Sequence, residues 1–290
     1  MLRFNFKNTI KTLTRSPILW VMFLLVMGNI ILFERMPLYS STIDGELVFD
    51  TDPRYVLYFN SFIQMIPNYL SHSVMFYAAP AFAVITAMIV MANDYGKGFF
   101  EVEKAGGTRI LTRLFGRFFA LVVINSFVAL AASFLAINYY YFSRGGVNGH
   151  NFWECFGFST IRILRTFLFC ELPAILVFLS LALVCGAILK NGYIASVIGL
   201  GYVVFNYAVS AYFGFRMSDF FNKYLTTNKF SAYLYFTYYD TEVAKTELIG
   251  MGIGHIPSPP SEVFAWSAIM FGIAFILICM THFLTKKRSI

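Results

Sequence analysis

The chain opens with two interleaved stripes. Arg3, Lys7, Lys11 and Arg15 recur every fourth residue, and Leu2, Phe6, Ile10 and Leu13 follow on a face about a third of a turn away. This predicts an amphipathic helix over residues 1–16 that lies in the inner headgroup layer, its cations reaching into water. A cleaved leader fits less well, because the basic region is long and Glu34-Arg35-Met36-Pro37 lacks the small residues of a cleavage site. From Pro17 onward the pattern changes to unbroken apolar runs. A helix that crosses a bilayer needs about 20 of them. Six runs follow, near Ile18–Phe33, Ser73–Ala92, Leu114–Phe142, Thr166–Leu189, Tyr193–Phe213 and Val263–Leu284. The third exceeds a bilayer's thickness, so it is expected to tilt or to extend beyond the membrane. The reading is an all-α polytopic membrane protein with an interfacial helix (1–16) and a six-helix transmembrane domain (17–290).

The polar positions orient these helices. With the N-terminus inside, the inner segments hold Arg3, Lys7, Lys11, Arg15, Lys97, Lys104, Arg109, Arg113, Arg117, Lys190, Lys286, Lys287 and Arg288, which is 13 of the 22 Lys and Arg. The outer segments hold the other nine in about twice the length, so both termini are expected on the cytoplasmic side. The inner loop is 93–117, and the outer segments are 34–72, 143–165 and 215–262. Two of these are too long for simple turns. The first carries Tyr55, Phe59, Phe62, Ile66 and Tyr69 at helical spacing, and the last carries Phe230, Tyr233, Tyr235, Phe236, Tyr238 and Tyr239. These stripes suit interfacial anchors or a lid over an exit path.

Composition agrees. The chain is 58% hydrophobic and 13% charged, against about 45–50% and 25% in soluble domains. The net charge of +7 reads as cytoplasmic retention of Lys and Arg rather than as a nucleic-acid surface, since no basic domain lies outside the spans. Cys155, Cys170, Cys185 and Cys279 form no CxxC pair and read as small buried hydrophobes.

Chemistry-bearing motifs are scarce. No phosphate loop, HExxH or GxSxG stretch occurs, and His72, His150, His255 and His282 are far apart, so no catalytic or metal site is expected in this chain. Glu171 is the clearest ionisable residue within a span, two turns into the fourth and followed by Pro173. It suits a pathway or interface role, or a structural pair with Arg162 or Arg165. Asn29, Asn125, Asn138 and Asn206 suit hydrogen bonds between helices, with Asn206 also a possible pathway residue. The inner loop is the most informative stretch. Phe99-Phe100-Glu101-Val102-Glu103-Lys104-Ala105 predicts a short helix stopped by Gly106-Gly107, and its mixture of apolar and charged groups suits docking into a groove on a soluble partner. A solvated loop that only sets topology is the simpler alternative.

This layout of amphipathic basic N-terminus, six spans, large last outer segment and charged Gly-containing loop between spans two and three resembles the permease subunits of ABC-2-type exporters. The loop carries the acidic residue, Gly-Thr pair and following basic residue of that family as Glu101 or Glu103, Gly107-Thr108, and Arg113 or Arg117. FFEVEKAGG departs from the commonest pattern, which leaves the subfamily open. The resemblance implies two permease subunits, identical or homologous, over two copies of a separate ATPase that holds ATP and magnesium. This chain would then hold no cofactor and be no enzyme itself. It makes Phe99, Phe100, Glu101, Glu103, Lys104 and Arg109 the expected ATPase contacts, with the N-terminal helix helping to hold the ATPase.

The aromatic, nearly uncharged walls suit an amphiphilic cargo, and permeases of peptide-toxin and bacteriocin export systems in the bacterial plasma membrane look similar in size and aromatic richness. Amphipathic peptide export is favoured, with drug, lipid or cell-wall polysaccharide export as alternatives. An ion-coupled secondary transporter and a non-transporting receptor or scaffold are competing classes. The scarcity of midplane carboxylates and of internal repeats speaks against the ion-coupled one.

Overall fold

The computed structural model describes residues 2–34, 40–43, 46–49, 78–92, 94, 110–143, 160, 164, 167–208 and 260–287. Seven α-helices lie among them: α1 (Leu2–Thr14), α2 (Pro17–Glu34), α3 (Ala78–Met91), α4 (Ile110–Ser143), α5 (Leu172–Leu189), α6 (Gly192–Ala208) and α7 (Pro260–Lys287). The six after α1 fall on the six apolar runs. The expected stripes of 55–69 and 230–239, and most of the outer segments, lie outside the described residues.

Among the described residues three helices, Ile110–Ala132, Leu172–Leu189 and Phe264–Lys286, are long and apolar enough to cross a membrane, and a fourth counts if α1 and the start of α2 form one bent span. The surface agrees. Leu24, Phe127, Val197 and Phe275 are each about two-thirds exposed, on four different helices. Large apolar side chains standing outward on every side are what lipid, not water, accommodates. The chain is a helical membrane protein.

One element departs from an all-α fold. Ser40–Ile43 (β1) pairs antiparallel with Glu46–Phe49 (β2), in the register Ser40↔Phe49 through Ile43↔Glu46. The strands are rich in β-branched and aromatic residues, and Asp44-Gly45 between them is a dipeptide that favours a two-residue hairpin connection.

Helix α5 is apolar all round and sits at the centre, against α3, α4, α6 and α7. It ends on Lys190, whose positive φ of 54° forms a left-handed cap with its N–H donating to the Gly186 carbonyl at 2.9 Å. Asn191 then caps α6, its side-chain oxygen accepting from the Tyr193 N–H at 2.9 Å. Two glycines, a pair of helical turns apart, let α6 lie close against α3. A Cβ on Gly192 would fall 2.7 Å from the Ala92 backbone nitrogen, and one on Gly199 would fall 2.8 Å from Val84. Small residues at such crossings are how helices approach in lipid, where no hydrophobic effect drives them together. The Asn125 amide donates to Thr86 Oγ1 at 2.9 Å and ties α4 to α3, the interhelical role expected of it.

Candidate functional site: a charged hub at the basic end of the bundle

The end of α3, the start of α4, the α5–α6 turn and the end of α7 meet at one end of the bundle, with α1 beside them. This end carries Arg3, Lys7, Lys11, Arg15, Arg113, Arg117, Lys190 and Lys286. These eight of the thirteen Lys and Arg assigned to the inner side from sequence therefore share one end of the bundle.

Beyond Met91 the α3 backbone widens into a π-type turn that includes Asp94. Arg113 and Arg117, four residues apart, share one face of the first turns of α4. The Asp94 carboxylate takes one on each oxygen. Arg113 Nη2 lies 3.2 Å from Oδ1, and Arg117 Nη1 contacts Oδ2. The side chains are only 6–14% exposed. Desolvating three charges offsets much of their attraction, so such a cluster acts chiefly to fix register. Removing one partner leaves a buried charge uncompensated.

The cluster joins the two ends of segment 95–109. That segment contains the expected partner contacts Phe99, Phe100, Glu101, Glu103, Lys104 and Arg109, and these lie outside the described residues. A cavity of about 40 Å³, room for a few waters, opens beside the cluster and is lined by the three charged side chains with Thr281 and Thr285 of α7. Two guanidiniums against one carboxylate leave it net positive. The Thr281 and Thr285 hydroxyls donate back to their own helix, to the Leu277 and Thr281 carbonyls. No nucleophile–base pair lines this cavity, and no group of His, Cys, Asp and Glu among the described residues is set to hold a metal ion. What the hub can do is mechanical: it holds a long segment at its base and links it to α3, α4, α5 and α7.

Helix α1 docks beside the hub. Gly116 precedes Arg117, and a Cβ there would lie 2.8 Å from Asn5 Cβ and 3.1 Å from the Leu2 carbonyl. The buried line of α1 is Asn5, Thr9 and Leu13. Of the apolar stripe Leu2, Phe6, Ile10 and Leu13, only Leu13 is fully buried against the protein; Leu2 is half exposed and Phe6 and Ile10 are half-buried. The physical reason is the close approach at Gly116, which admits short side chains and pushes larger ones aside. Arg3, Lys7, Lys11 and Arg15 stand exposed, as expected.

Glu171 lies at the opposite end of α5, so the structure does not bring it to the hub. It closes a π-helical turn, Phe167–Glu171, that runs directly into α5. Pro173 explains the neighbourhood. In a regular helix the Phe169 carbonyl would accept from the N–H of residue 173, and proline has none. The Ser267 hydroxyl of α7 donates to that carbonyl instead. Neighbouring helices commonly satisfy backbone groups freed by proline in this way. The Phe169 and Phe264 rings meet edge to face at 4.8 Å across the same contact. The Glu171 side chain is 1% exposed, and neither carboxylate oxygen has a hydrogen-bond partner among the described residues. Arg162, Arg165 and the side chains of Asn29, Asn138 and Asn206 lie outside the described residues. Cys185 and Cys279 are free thiols.

Sequence reasoning placed Arg113 and Arg117 among the inner cations but did not pair them with Asp94. The available signal was the four-residue arginine spacing opposite the one acid at the start of the loop. No protein-family model and no curated protein matches this chain.

Proposed function

We propose that this chain is the membrane-spanning permease subunit of an ATP-driven exporter of the ABC-2 type, with six spans and both termini in the cytoplasm. A separate ATPase powers it, and its cargo is amphiphilic, a hydrophobic or amphipathic peptide being favoured. The observation that carries this reading is the Asp94–Arg113–Arg117 cluster at the base of segment 95–109. A segment meant to transmit force needs a stiff root, and this one is rooted in a largely enclosed three-charge cluster that touches α3, α4 and, through its cavity, α5 and α7. The apolar and charged residues of the segment, Phe99 to Lys104 with Arg109, would seat in a groove on the ATPase and set its register. Nucleotide-driven motion there would tilt α3 against α4 and favour one of two arrangements of the helices through differential contacts. Pairing with a second permease and with two ATPase copies follows from the same resemblance.

Glu171 favours a second reading. A buried carboxyl with no hydrogen-bond partner among the described residues, set in a π-helical turn, suits ion coupling. Vesicles containing the purified chain separate the two. Substrate movement that requires a co-purifying soluble subunit and ATP supports the exporter. Movement driven by an ion gradient alone, without nucleotide, supports the secondary transporter and overturns the first reading.

A further inference from the structure

We propose that the outward face of α1 is a binding surface for anionic phospholipid headgroups. The face opposite the buried Asn5–Thr9–Leu13 line carries Arg3, Lys7, Lys11 and Arg15, all exposed, and α1 contains no acidic residue. Phe4 projects from the same face and is 68% exposed. Cations with an interleaved aromatic suit the boundary between phosphate and hydrocarbon, where the charges meet headgroups and the ring enters the acyl layer.

Three observations favour lipid over a soluble partner. The α1 and α2 axes differ by 69° across the break at Arg15–Ser16, so with α2 along the membrane normal α1 runs about 20° from the membrane plane. Helix α2 is apolar from its first residue, which places the end of α1 at the hydrocarbon boundary. Trp20 fixes that corner, since its exposed indole N–H donates to the Thr14 carbonyl at 2.8 Å, and tryptophan concentrates at the headgroup level. The row of cations therefore runs along the headgroup layer.

The test uses the full chain alone in detergent, so its failure would leave the motor-driven reading standing. Phosphatidylglycerol and phosphatidylcholine are added at equal concentration, and retained lipid is counted by native mass spectrometry. Retention of phosphatidylglycerol is expected to exceed that of phosphatidylcholine by about tenfold. The preference should fall with salt and vanish in the Arg3→Gln/Lys7→Gln/Lys11→Gln/Arg15→Gln variant. Exchanging Arg and Lys at the same four positions should preserve it. Should the fourfold variant fail to fold, Lys7→Gln and Lys11→Gln separately should each cut the preference about twofold or more. Equal retention of both lipids by the parent would overturn the proposal. So would an unchanged preference in the folded Gln variants, including the case where those variants instead lose a soluble protein partner.

Discussion

Two acidic residues at opposite ends of the bundle, Asp94 partly buried and Glu171 fully buried, are treated in opposite ways. Asp94 is shared by two arginines from the facing helix, each on its own oxygen. Glu171 is as deeply buried as the apolar core, and its oxygens meet no hydrogen-bond donor among the described residues. A paired charge holds its neighbours in register, and a buried carboxyl whose oxygens meet no donor among the described residues is a cost the fold carries for another purpose. The comparison separates a structural root from a position that costs stability.

The largest test removes the root. Asp94→Ala leaves two buried guanidiniums without their carboxylate and should cost about 3–5 kcal/mol, seen as a large drop in melting temperature in detergent or as loss of folded protein. A drop no larger than that of a surface substitution would mean that the cluster is solvated and holds nothing. Next, Gly192→Leu drives a side chain into the Ala92 backbone just before Asp94, and should cost about 1–3 kcal/mol by the same assay. Its size shows how rigidly α6 backs the hub. Third, Glu171→Gln keeps the shape while exchanging a carboxyl that meets no hydrogen-bond partner among the described residues for an amide, and should change stability by no more than about 1 kcal/mol. The matched change Asp94→Asn should destabilise, and two losses of equal size would erase the contrast. The smallest effect is expected for Asn125→Leu, which breaks the tie to Thr86 in a part of the core remote from both charges. A loss of about 0.6 kcal/mol is typical of hydrogen bonds between helices in membranes.

How much of this was legible beforehand follows from the range of each interaction. The six apolar helices were readable because lipid demands long uninterrupted runs, and α2 to α7 fall on them. The shared basic end was readable from the Lys and Arg bias for the same reason. The Asp94 pairing was not, because it joins residues from either side of a long segment, and only the spacing of Arg113 and Arg117 is local. The line of α1 that packs on the protein was not legible, because Gly116 on another helix admits Asn5 and Thr9 there, and the periodicity of α1 itself does not decide it. At Glu171, Pro173 signalled a freed carbonyl, but nothing local pointed to Ser267, nearly a hundred residues away, as its donor. The β1–β2 hairpin was missed: segment 34–72 was read only through the helical spacing of its aromatics, although Asp44-Gly45 lies between β-formers.

The central claim is that a separate motor drives this chain through the segment rooted at Asp94. Its most direct test is ATP hydrolysis coupled to transport in the reconstituted complex, comparing the parent with Glu101→Lys/Glu103→Lys. Reversing both charges on the docking segment should abolish the coupling while the chain keeps its melting temperature. Coupled hydrolysis at the parent's rate in the double variant would contradict it.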